Sequence, residues 1–214
     1  MAGPVSIDIV SDVMCPWCLI GKRRLEKALE LRPGVEVEMR WRPYQLDPTI
    51  PEGGMDRREY LERKFGGPER AKAIYEQIRE AGEQEGIDFR FDLIERSPNT
   101  LDAHRLIRWA ATPGVQNEVV DLLFRLYFTE GANVGDHEVL LGVARDTGMD
   151  VELVGNLLKT DADVELVQRE IALAQQMGVT GVPCYVFAGK FGVLGAQSPE
   201  ILADALDRAV SEAA

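Results

Sequence analysis

Val5 to Val10 reads V-S-I-D-I-V, apolar and polar by turns before closing on an apolar end, which is the pattern of a β-strand. From Pro16 to about Leu31 the period changes. Leu19, Ile20, Leu25, Ala28 and Leu29 recur at three- and four-residue spacing, with Lys22, Arg23, Glu26 and Lys27 on the other face, and this predicts an amphipathic helix. Pro16 suits the first turn, where its missing N–H is not needed, and Pro33-Gly34 stops the helix. Val35 to Tyr44 alternates again, with Val35, Val37, Met39 and Trp41 on one face. Strand, helix and strand in this order predict a parallel βαβ unit.

From about Pro51 to Gly178 the pattern is helical and holds no convincing strand pair. The predicted helices are Met55–Phe65, Pro68–Glu85, Thr100–Ala111, Val115–Thr129, Asp136–Thr147, Val151–Leu158 and Asp161–Met177. Asn99, Asp136 and Asp150 stand where N-caps belong, and Gly66, Gly86, Gly148 and Gly178 where helices stop. Glu59, Glu62, Arg63 and Lys64 read as a solvated face. Strand signals return at Cys184–Ala188, a tight turn at Gly189-Lys190 follows, and Phe191–Leu194 completes a hairpin. Ser198-Pro199-Glu200 then opens a last helix with Ile201, Leu202, Ala205, Leu206 and Ala209 on its apolar face. The expected architecture is α/β: βαβ, a long helical insertion, then ββα. The outer segments 1–50 and 179–214 would form one domain and residues 51–178 the inserted one.

Composition narrows the function. The chain has 214 residues, 45% of them hydrophobic and 28% charged, ordinary values for a globular protein. With 24 basic against 36 acidic side chains the net charge is −12. That argues against a nucleic-acid partner, which demands a basic face. No apolar run is long enough to span a membrane. The first residues lack the basic and apolar regions of a secretory signal, so a cytoplasmic location is expected. Three cysteines in a chain of this length are no disulfide framework. They point to chemistry rather than stapling.

That chemistry centres on Cys15-Pro16-Trp17-Cys18, where a strand has ended and a helix begins. Unpaired N–H groups and the positive dipole end favour an anionic sulfur there, so Cys15 is expected to ionise easily and act as nucleophile. Cys18, one turn on, can close a disulfide with it and resolve a mixed disulfide. Two other readings stand beside this one: half of a zinc site, or two incidental cysteines. Zinc would need further ligands, and Cys184, His104 and His137 are widely scattered. No metal is expected. Pro16 stiffens the pair. Trp17 either forms an apolar rim beside Cys15 or packs against the helical insertion. Pro183, after Gly178-Val179-Thr180-Gly181-Val182, is a candidate for a cis bond or simply heads a strand.

These residues resemble the DsbA family of thioredoxin-fold oxidoreductases, and most closely its FrnE-like branch. That branch is related to 2-hydroxychromene-2-carboxylate isomerases and kappa-class glutathione transferases. The likeness rests on D-V-M-C-P-W-C-L-I-G-K-R-R-L-E (Asp12–Glu26), S-P-N-T-L-D-A-H-R-L (Ser97–Leu106), Y-F-T-E-G (Tyr127–Gly131), G-V-T-G-V-P (Gly178–Pro183) and G-A-Q (Gly195–Gln197). It implies a thioredoxin-like fold with a large α-helical insertion and a cis Pro183 lying against Cys15. It also implies that the Val182 backbone offers strand-like hydrogen bonds to an extended substrate. The substrate would be a disulfide-bearing protein or small thiol, with glutathione as a candidate co-substrate and no bound cofactor beyond the redox-active disulfide. Whether the protein is a monomer or a homodimer is open. The rival chemistry is glutathione-dependent isomerisation or transfer on a small aromatic or polyketide-like molecule, which has no use for Cys18. Cys184 departs from the family pattern. Strand alternation turns it away from the dithiol into the core, and the other reading makes it a third redox thiol. Asn99, His104 and Arg105 are candidate accessory residues: Asn99 as a helix cap, His104 exchanging protons with Cys18, Arg105 attracting a carboxylate.

Overall fold

In the computed structural model, which describes residues 3–213, the opening unit forms as β1 (Val5–Ser11), α1 (Pro16–Glu30) and β2 (Val37–Pro43), with β1 and β2 parallel. The closing unit forms as β5 (Cys184–Phe187), β6 (Phe191–Leu194) and α9 (Pro199–Ala213). The sheet order is β2-β1-β5-β6, and β5 runs antiparallel to both of its neighbours.

Alternation along the strands divides the sheet's two faces. Ile9 pairs with Tyr185, and both join the main core with Ile20 and Leu25 of α1 and Leu202 and Leu206 of α9. Val10 pairs with Cys184 and both turn to the opposite face, into a small cluster with Tyr44, Ala174 and Val179.

Between β2 and β5 the chain forms β3 (Met55–Asp56), α2 (Arg57–Phe65), α3 (Pro68–Gln84), β4 (Arg96–Ser97), α4 (Leu101–Trp109), α5 (Gln116–Glu130), α6 (His137–Asp146), α7 (Val151–Leu158) and α8 (Val164–Gln176). The antiparallel β3–β4 ribbon corrects the expectation of an all-helical stretch. Two-residue strands are too short to show alternation, and Asp56 doubles as the N-cap of α2 by accepting the Glu59 N–H. Asp136 and Asp150 cap α6 and α7 as expected. Asn99 lies one residue before the helical cap, yet its side chain accepts the Leu101 N–H at 3.0 Å.

Lys22 also differs from expectation. Instead of facing solvent it is 2% exposed and pairs with Glu26 and with Asp121 of α5. Its aliphatic stem covers core while its ammonium reaches two carboxylates.

The fit of α1 on the sheet turns on Gly21. A Cβ there would meet the Tyr185 hydroxyl and stand 2.8 Å from Pro183 Cγ. Gly21→Ala gains up to about 1 kcal/mol of helix preference and loses about 1–3 kcal/mol to overpacking. A lower urea midpoint with an unchanged slope is expected; an unchanged or higher midpoint would show that α1 has spare room over Pro183.

Candidate active site

The site begins with the turn leaving β1. The Cys15 N–H donates to the Asp12 carbonyl at 3.0 Å, and the Cys18 N–H donates to the Cys15 carbonyl at 3.0 Å. Cys15 is the N-cap of α1, with extended backbone (φ −92°, ψ 112°) and a side chain that caps nothing. Pro16 occupies the first turn. The sulfur therefore stands at the positive end of the helix, uncommitted to its backbone. Cys15 Sγ lies 3.7 Å from the Val182 carbonyl oxygen. The Val182–Pro183 peptide is cis, and the Pro183 carbonyl accepts the Gly195 N–H at 2.8 Å.

Cys18 is 1% exposed. Burial pushes its thiol well above the ordinary value, and the hydrogen bond and charge of Cys15 push it further; the Ser11 hydroxyl and the Asp12 backbone oppose this more weakly. The two sulfurs thus occupy unlike environments: Cys15 opens onto a cavity and Cys18 is enclosed.

That cavity has a volume of about 260 Å³. Met14, Leu46 and Val182 form its near wall, and Trp17 stands at the rim, 37% exposed. Tyr60, Tyr75 and Ile78, from α2 and α3, form the far wall. Two cations enter with them. Arg57 is buried, donates to Ser97 Oγ at 3.2 Å and to the Tyr75 hydroxyl, and lies 5.7 and 5.2 Å from the Tyr60 and Tyr75 ring centroids. Among the described residues no carboxylate lies within ion-pairing range of it. Lys64 donates to the Tyr60 hydroxyl at 2.6 Å.

Sequence reasoning missed Arg57 and Tyr60 and placed Lys64 on a solvated face with Glu59, Glu62 and Arg63. All four are exposed, and Lys64 also helps line the cavity. Arg57, Tyr60 and Lys64 share one side of α2 at three- and four-residue spacing, and that was the available signal.

The remaining candidates separate. His104 is 3% exposed, with Nε2 at 3.5 Å from Asp12 Oδ1. Asn99 ties loops together, donating to the Ile50 carbonyl at 2.7 Å and accepting from Gln45 at 3.2 Å. Arg105 is taken up elsewhere: it bonds Asp102 and the carbonyls of Leu157, Thr160 and Ala162 at 2.6–2.8 Å. It clamps the turn between α7 and α8 and does not line the cavity over Cys15. Cys184 is buried on the far face of the sheet, where burial raises its thiol pKa. Among the described residues no three His, Cys, Asp or Glu side chains gather as a metal would require.

Two outcomes follow for the reduced protein. Iodoacetamide should label Cys15 first and reach Cys18 and Cys184 only on unfolding, as read by peptide mass analysis; rapid native labelling of Cys184 would overturn its enclosure. Burial also raises the folded-state pKa of Cys18, Cys184, Tyr60, Tyr127 and Tyr185. Groups held protonated in the fold stabilise it fully below their unfolded pKa values and lose that contribution as pH rises toward the folded ones. The urea midpoint should therefore fall as pH climbs above about 9, and Cys18→Ala should make the fall shallower. An equal slope in the variant would contradict the Cys18 contribution.

The DSBA-like thioredoxin domain family matches residues 6–207. The structure of a probable DsbA oxidoreductase from Streptomyces coelicolor is 34% identical, with a TM-score of 0.85 over 97% of this chain and 91% of that one. The Bacillus subtilis protein YwbO is 25% identical over 203 residues, 94% of this chain and 96% of its own. The cytosolic disulfide reductase DsbM from Pseudomonas aeruginosa, solved also with GSH, shares the fold at 17% identity, with a TM-score of 0.63 over 97% of this chain and 99% of that one.

Proposed function

Because the chain belongs to the DSBA-like thioredoxin domain family, we propose that it is a thiol–disulfide oxidoreductase with Cys15 as nucleophile and Cys18 as resolving thiol. The Cys15 thiolate attacks one sulfur of a substrate disulfide and expels the other as a thiolate, leaving a mixed disulfide. Cys18 then bonds to the Cys15 sulfur, releases the second substrate thiol and leaves the Cys15–Cys18 disulfide. The reverse sequence oxidises a substrate dithiol.

The observation that carries this reading is the convergence at Cys15: a sulfur at the head of a helix, a second cysteine one turn behind it, and the Val182 carbonyl 3.7 Å away beside Pro183. Val182 supplies a backbone edge for an extended substrate, Pro16 stiffens the active pair, and Trp17 contributes an apolar rim. Substrates are disulfide-bearing proteins or small thiols. Glutathione is the candidate co-substrate, supported by the GSH-bound DsbM structure, and Arg57 and Lys64 supply positive charge that its carboxylates would meet. A cytoplasmic setting, like that of DsbM, keeps the dithiol reduced and favours reductase, isomerase or oxidative-stress roles over net oxidation. Among the described residues no helix is long and apolar enough to cross a membrane. The glutathione-dependent isomerase chemistry of related enzymes leaves Cys18 without a task.

Insulin reduction followed by turbidity tests the proposal. The native protein should accelerate it, Cys15→Ser and Cys18→Ser should both fall to the uncatalysed rate, and Cys18→Ser should accumulate mixed disulfides through Cys15. Full glutathione-dependent turnover of an aromatic substrate by Cys18→Ser, with no insulin reduction by the native protein, would replace this reading with the isomerase.

A further inference from the structure

A second cavity, of about 700 Å³, lies between α2, α3 and residues 91–95, which lead into β4. A volume of this order suits a small organic molecule. Arg57 and Tyr75 line it, and the same two residues line the cavity above Cys15. They form the partition between the two, joined by the hydrogen bond from the guanidinium to the Tyr75 hydroxyl.

That partition is charged and under-used. Arg57 is 8% exposed. A guanidinium carries several N–H donors in a fixed fork. Among the described residues this one gives a bond to Ser97 Oγ and a bond to Tyr75, and its other donors have no partner. Its backbone N–H donates to the Glu95 carbonyl at 2.9 Å, which ties the start of α2 to the approach to β4. An anion arriving at Arg57 therefore meets donors already held in place, and little rearrangement opposes the bond.

The rest of the cavity calls for an apolar body. Leu61, Ala71, Phe91 and Ile94 make most of its wall apolar. Arg79 of α3 lies 5.9 Å from the Phe91 ring centroid, and that ring meets Tyr75 at 4.6 Å. Arg58 and Lys72 stand exposed on the rim. Among the described residues none of these three cations is in an ion pair. Of the acidic side chains, Asp92 is matched to Arg90 at 2.7 Å and Asp56 caps α2. Glu62 and Glu95 remain, both exposed. The uncommitted cations thus outnumber the uncommitted carboxylates, and the most buried of them is Arg57.

The geometry points to a second ligand site: this cavity takes an amphipathic organic anion, its apolar body against Leu61, Phe91 and Ile94 and its carboxylate or sulfonate on Arg57, and its filling is felt at Cys15 through that shared guanidinium. An anion paired with Arg57 offsets its charge, and the field that reaches across the partition falls. Occupancy therefore lowers the advantage of anionic over neutral reagents at Cys15 without covering the sulfur.

The fluorescent probe anilinonaphthalene sulfonate tests this, because its neutral counterpart phenylnaphthylamine lacks the sulfonate. The native protein should bind one sulfonate probe per chain and the neutral counterpart about tenfold more weakly. Arg57→Gln should weaken sulfonate binding about tenfold and the exposed Arg79→Gln about threefold. Ala71→Phe, which fills the cavity, should abolish it; circular dichroism checks that each variant is folded. At Cys15 the readout is the ratio of alkylation rates with iodoacetate, an anion, and neutral iodoacetamide, with the labelled peptide identified by mass. Saturating probe should lower that ratio toward the Arg57→Gln value and leave the iodoacetamide rate unchanged. Equal binding of the two probes, or undiminished binding in Arg57→Gln and Arg79→Gln or in Ala71→Phe, would overturn the site. An unchanged ratio at saturation would overturn the link through Arg57. A fall in both rates would put the probe over Cys15 itself and overturn the separate site. Alkylation needs only a reactive thiol, so none of these outcomes turns on the redox reading.

Discussion

The site depends on one backbone pairing. Val10, at the end of β1, lies opposite Cys184, at the start of β5. Because the register is fixed there, the turn after Val10 and the peptide before Cys184 meet, and Cys15 faces the Val182 carbonyl across 167 residues of sequence. A slip of one residue would invert every side chain of β5. It would send Tyr185 to the small cluster and bring Cys184 under the dithiol. The hydrophobic demand for Tyr185 and Phe187 in the main core therefore fixes the register that the chemistry uses.

Above that junction the second constraint is charge. A buried guanidinium without a carboxylate is costly. Arg57 is offset instead by Ser97, by the Tyr75 hydroxyl and by two aromatic faces. These partners hold it without neutralising it, so its field extends into the cavity onto which Cys15 opens. Asp12 sits below with the opposite sign. Cationic groups thus line the cavity onto which Cys15 opens, and the carboxylate lies on the side from which the dithiol loop is held.

The outer elements were legible because their periods are clean. V-S-I-D-I-V in β1, the spacing of Leu25, Ala28 and Leu29 in α1, and the hairpin around Gly189 each obey one rule. The candidate site was legible for a similar reason: Cys15 stands where a strand pattern gives way to a helical one. The cavity's far wall was not. Arg57 and Tyr60 face the dithiol through tertiary placement of α2, and a helix of mixed charge reads the same whether it borders water or a cleft. Lys22 was misplaced for a related reason, since a lysine stem packs as readily as it solvates. Nothing in the order of residues announces that Asp12 and His104 meet, and only the packing of α4 brings them together.

Arg105 stands next to His104 in the chain and grips the Leu157, Thr160 and Ala162 carbonyls. Among the described residues no other side chain joins α4 to that turn through so many backbone bonds, and His104 is its neighbour on the helix. On the proposed redox function, a genetic screen for its loss would recover lesions at Arg105 alongside those at the cysteines. Phenotype alone would then draw the boundary of the reaction centre too wide, enrolling a mechanical brace among the chemical parts.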